Sequence, residues 1–187
     1  MSNPTLVIVV VIAVAVVLAV ALMTRAQRRA RLKARFGPEY NRVVEETGSA
    51  ERAEAKLEKL ANRVDRFKIV PLSATAREDF VAAWTRIQGR FVDDPSNALS
   101  DADRLIQKLM RTRGYPVSDF EQRARDLSVD HPEIVEHYRE GHAISVRHAE
   151  GRANTEDMRQ AMIHFRMLFE EMAGASEVSR AARAAGA

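Results

Sequence analysis

Between residues 110 and 121 the chain reads Met-Arg-Thr-Arg-Gly-Tyr-Pro-Val-Ser-Asp-Phe-Glu. Arg111 and Arg113 supply two guanidinium forks, Tyr115 a phenol, and Ser118 the expected start of a helix. Forked donors beside helical N–H groups can hold an anion or an acidic peptide. The same residues equally fit a helix–helix turn whose Tyr115 and Phe120 seal a core. Glu133 and His137 lie four apart on one helical face, with Glu140 next along. That spacing could offer two metal ligands, but a closed site needs more, and no HExxH or Glu-x-x-His pair supplies them. A solvated charged face is the expectation there, and His142 is expected as a hydrogen-bonded core histidine. Gly37, Gly48 and Gly89 are isolated, so no glycine-rich phosphate loop is formed. The absence of cysteine excludes disulfides, thiol catalysis and cysteine-ligated metals. Asp93-Asp94 before Pro95 reads as a helix cap. No catalytic residue, cofactor or metal is expected, and the chain is not expected to be an enzyme.

Residues 1–24 carry no charged side chain, and 25–35 then carry six basic ones: Arg25, Arg28, Arg29, Arg31, Lys33 and Arg35. The apolar run from Leu6 to Met23 would rise about 27 Å as a helix, close to the roughly 30 Å of a bilayer's hydrocarbon core. A cleaved signal peptide needs basic residues first and a shorter apolar stretch. An uncleaved transmembrane helix over 6–24 is therefore expected, after a short tail at 1–5. Lys and Arg concentrate on the cytoplasmic side of a span, which puts the body in the cytoplasm and the N-terminus outside. The six cations at 25–36 are candidates for anionic lipid headgroups, each worth about 1 kcal/mol near the surface; serving as the topology signal alone would also account for them. Without them, 23 Lys and Arg face 26 Asp and Glu, so a net +3 becomes −3. A mildly acidic body argues against nucleic acid as a partner.

Positioning these residues falls to helices, since no useful period-2 alternation occurs. The first helix runs to Phe36, where Gly37-Pro38 breaks it. A helical arm or linker spans 37–72. Within it Ala50, Ala53, Leu57, Leu60, Val64 and Phe67 are spaced 3, 4, 3, 4, 3, a short heptad seam. That seam either pairs two chains as a homodimer through 50–67 or packs on its own chain. An all-helical soluble domain of about five helices follows over 73–173. Its apolar stripes are Phe80-Val81-Trp84-Ile87-Phe91, Leu99-Ala102-Ile106-Leu109-Met110, Phe120-Ala124-Leu127, Ile134-Val135-Tyr138-Ser145-Ala149 and Met158-Ala161-Met162-Phe165-Leu168-Phe169-Met172. His137, Gly141, Ile144 and His148 form a second stripe opposite the fourth, and Ile163 and Met167 lie opposite the fifth. Ser73 or a Thr75-Ala76-Arg77-Glu78 capping box is expected to open the first helix of this domain, Ser118-Asp119-Phe120-Glu121 is a second capping box, and Asn154 or Thr155 is expected to cap the last helix. Residues 174–187, rich in Ala, Ser, Gly and Arg, read as a disordered tail.

Across Arg35-Phe36-Gly37-Pro38-Glu39-Tyr40, Arg90-Phe91-Val92-Asp93-Asp94-Pro95, Arg113-Gly114-Tyr115-Pro116-Val117, Leu127-Ser128-Val129-Asp130-His131-Pro132 and Thr155-Glu156-Asp157-Met158, the chain resembles a family of small bacterial single-pass membrane-anchored helical proteins. The likeness covers nearly all the chain outside the tail. It implies a bacterial origin and a shared helical fold, and carries no activity with it. The expectation is a scaffold or adaptor for an unknown protein partner, held at the bacterial cytoplasmic membrane with its body in the cytoplasm. The alternatives are an extracytoplasmic anchored domain, or a small-ligand, anion-sensing or enzymatic domain using Arg111 to Phe120.

Overall fold

The computed structural model describes residues 4–116 and 119–174. Among these the protein is all helical, with α1 Pro4–Phe36, α2 Pro38–Thr47, α3 Ala50–Val64, α4 Ala74–Arg90, α5 Pro95–Arg113, α6 Phe120–Asp130, α7 Val135–Ala149 and α8 Thr155–Met172. Of the disordered tail expected over 174–187, residues 175–187 lie outside the described residues. Two compact units divide the chain between Lys59 and Leu60.

In the first unit, α1 is long and apolar enough to cross a membrane, with a mean hydropathy of 3.3 over its most apolar window and none of that window buried by protein. A helix that is apolar all round needs an apolar surrounding, either protein core or lipid. At the other end of α1 the pattern changes. Leu32 and Phe36 are buried, as are Tyr40 and Val43 of α2 and Ala53 and Leu57 of α3. Polar contacts tie the same region together. Arg28 pairs with Glu58, while Glu54 accepts from Arg29 at 2.9 Å and from the Tyr40 hydroxyl at 3.0 Å. The Arg29 hydrogen bond holds the Glu54 carboxyl below the usual carboxylate range.

The second unit is the bundle. Its helices start where side chains satisfy free N–H groups. Ser73 accepts from the Ala76 amide, Asp94 from Asn97, and Asn154 from Asp157 in a reciprocal capping box. At α6 the cap is Asp119, which accepts from the Gln122 amide; the expected cap, Ser118, lies outside the described residues. α5 ends at Gly114, whose φ of 98° makes a left-handed stop. A Cβ on Gly114 would come within 2.3 Å of the Lys68 carbonyl oxygen, so the 68–70 strand of loop lies directly on the turn.

The core gathers around α8, which packs on α7 and α5, while α4 packs on α5 and α6 on α7. All seven residues of the expected α8 stripe are buried, and so are all five of the α5 stripe. The Trp84 ring stacks on Phe169 with centroids 4.8 Å apart, joining α4 to α8. Val81, expected in that stripe, is exposed, and Ile87 and Phe91 are half-buried. The inward face of α7 is also rotated from expectation. Val135, Tyr138, Gly141 and Ile144 are buried, Ser145 is half-buried and Ala149 is exposed. The cause is Gly141: a Cβ there would sit 2.6 Å from the Phe165 ring, so its missing side chain makes room for Phe165. A glycine thus marks the tightest part of the helix–helix contact.

Candidate functional site

In the Arg111–Phe120 segment, Ser118 lies outside the described residues, and two of the described candidates are engaged within the fold. Arg113 turns inward, and its Nη1 donates to the Met172 carbonyl at 3.2 Å. Arg77 Nε donates to the next carbonyl, Ala173, at 3.0 Å. Two guanidinium groups therefore satisfy the carbonyl end of α8, where positive charge is favoured. Tyr115 is buried, its hydroxyl donating to Asp130 at 3.3 Å, and desolvation pushes its pKa well up. Of Arg111, Arg113 and Tyr115, Arg111 alone is exposed. These contacts are those of a helix–helix turn in which Tyr115 is buried.

The basic residues after the apolar stretch divide likewise. Arg28 and Arg29 are paired with α3 carboxylates, and the Lys33 ammonium lies 5.3 Å over the Tyr40 ring. Arg35 is half-buried, while Arg25 and Arg31 are exposed. In the candidate pairing seam, Ala53, Leu57 and Val64 are buried by their own chain. Leu60 and Phe67 are half-exposed. Three of the five seam positions are thus buried in the single chain.

The histidines hold helices together. His142 is half-buried and stacks on Phe120 at 3.5 Å, and His131 Nδ1 lies 3.3 Å from a Glu171 oxygen. His137 meets His164 of α8, with their Nδ1 atoms 3.0 Å apart, so one ring donates and the other accepts. Among the described residues no three His, Asp or Glu side chains converge as a metal site would require. Burial is the first cause lowering the pKa of His131, His142 and His164. Neighbours add to it: Arg113 at His131, Arg123 at His142 and the adjoining ring of His137 at His164. Glu171 and Asp130, Asp103 and Glu121, and Glu140 respectively oppose it.

A folded-state pKa below the unfolded one means that the unfolded chain takes up protons first as pH falls. Stability is then fully present above about pH 6.5, the ordinary histidine value, and declines below it. The urea midpoint should therefore drop between about pH 7.5 and 5.5, before carboxylates titrate. His164→Asn should flatten part of that slope. A midpoint that stays constant over this range would show that these rings are not held neutral by the fold.

A concave surface that sequence reasoning missed lies between α4 and α5. α4 and α5 run antiparallel, Arg90 pairing with Asp101 at one place while Lys108 lies 5.9 Å over the Phe80 ring at another. Between them is an open groove of about 790 Å³. Its floor is Ala83, Ile87 and Leu105, and its rims carry Arg86 and Arg90 on α4 and Arg104 and Lys108 on α5. Asp101 accepts from both Arg90 and Arg104, the latter at 3.3 Å. The signal that could have found it is a pair of basic residues four apart on each of two consecutive helices, flanking Ile87 and Leu105.

Comparison of the chain with protein-family models, with curated proteins and with solved structures gave no match in any of the three.

Proposed function

We propose that this chain is a single-pass protein of the bacterial cytoplasmic membrane, whose helical body stands in the cytoplasm as a scaffold or adaptor for a partner protein. The observation that carries the anchor is α1 itself: its apolar window has no protein packed on it, and six cations follow. Lipid is the surrounding that removes so much apolar surface from water. The cations on its C-terminal side favour retention of that side in the cytoplasm. Arg28 and Arg29 keep their charge for this purpose even though Glu58 and Glu54 partner them, because the topology rule counts Lys and Arg rather than net charge.

The adaptor reading rests on how the body uses its polar groups. Arg77, Arg113, Tyr115 and His131 serve helix ends and helix contacts. What the body offers outward is an apolar floor with a charged rim, which suits recognition of another surface.

Washing membranes with alkaline carbonate tests the anchor. The full chain should stay in the pellet, and residues 25–187 alone should move to the supernatant. Release of the full chain by carbonate would overturn the anchored reading.

A further inference from the structure

We propose that the α4–α5 groove is the docking site for an acidic amphipathic helix of a partner protein; this names the partner chemistry of the adaptor reading and rests on it. Three observations converge on such an occupant.

The first is charge and its spacing. Arg86 and Arg90 stand one turn apart on α4, and Arg104 and Lys108 one turn apart on α5. Four residues of helix rise about 6 Å. Carboxylates placed at i and i+4 on a docked helix repeat at the same interval. The charge is not spread evenly along the groove. Asp101 and Asp93 moderate the Arg90 and Arg104 end. Arg86 has no carboxylate partner among the described residues, and Lys108 has a ring contact with Phe80. The acids of the occupant are therefore expected toward Arg86 and Lys108.

The second is the floor. Ala83 and Ile87 of α4 and Leu105 of α5 provide a short apolar strip between the cations. An apolar stripe flanked by acids complements both parts at once, which is how amphipathic helices dock in grooves.

The third is Gly89. It lies near the end of α4 with a negative φ, and a Cβ built there meets nothing within 4 Å. The fold leaves room for a Cβ, and alanine would be better in a helix by about 1 kcal/mol. Nothing within the chain requires glycine at this position. A backbone approaching from outside would require it, since glycine permits the closest approach. Gly89 lines the groove and adds no side chain to this wall.

Residues 175–187 of the same chain have the wrong sign to be the occupant, with Arg180 and Arg183 against Glu177.

The test uses the full chain in nanodiscs of zwitterionic lipid. The probe is a labelled synthetic helix with leucines on one face flanked by glutamates four apart. A control peptide replaces every glutamate by lysine, and anionic vesicles form a separate arm. The acidic peptide should bind, more weakly at high salt, and the lysine peptide should not. Arg86→Glu with Lys108→Glu should weaken binding about tenfold or more, because like charges then face each other. Gly89→Leu should weaken it similarly by filling the open wall, without lowering the thermal unfolding midpoint. The proposal is overturned if the acidic peptide does not bind, or if it binds all variants alike. It is also overturned if anionic vesicles, and not the peptide, give the variant-dependent signal. Carbonate washing reports on the anchor separately, so either reading can fail while the other stands.

Discussion

Trp84→Ala lowers the unfolding free energy of the bundle by about 3–5 kcal/mol, the range for truncating a large buried aromatic. The indole is 5% exposed, and its plane lies 11° from that of Phe169 at 4.8 Å. Removing it leaves a cavity at the point where α4 meets α8, and Phe169 loses its stacking partner. Beyond area burial, such ring pairs contribute about 0.5–1.5 kcal/mol. Trp84→Phe keeps a ring at that place and should cost clearly less. Trp84 is the protein's one tryptophan, so native emission should be blue-shifted and should move to the red with unfolding. Urea unfolding followed by circular dichroism measures the alanine variant, which has lost the fluorophore. A loss below about 1 kcal/mol would mean that the α4 face is misassigned.

How far the sequence disclosed this arrangement depended on the helix. In α8, seven large apolar residues recur at helical spacing, and the buried face follows from the spacing alone. α7 defeated the same reasoning. Its closest contact is made by Gly141, which a hydrophobic pattern scores as neutral, and tight packing on Phe165 turned Ile144 inward with it. At α4 the pattern overreached, since Val81 sits beside Phe80 in sequence but on the outer side of the helix. The candidate anion loop shows a different limit. Arg113 is drawn inward by a carbonyl 59 residues away, and no local motif announces a partner at that distance. The same holds for Arg28 and Arg29, whose carboxylates lie 30 and 25 residues on. The groove went unseen because each wall, taken alone, is an ordinary basic face of a helix. Only the pairing of α4 with α5 brings Ile87 and Leu105 between the two rows.

The side on which the body stands can be measured directly, because the chain has no cysteine and Val92 is 85% exposed. A full-length Val92→Cys protein carries one thiol, on the surface of the body and far from the apolar stretch in sequence. Val92 makes little packing contact, so the change should not disturb the fold. Right-side-out and inverted vesicles from the same cells would be treated with a membrane-impermeant maleimide. An anchored chain with six cations on the cytoplasmic side of its span should be labelled in inverted vesicles and protected in right-side-out ones. Labelling of Val92→Cys in right-side-out vesicles, with protection in inverted ones, would place the body outside and contradict the account.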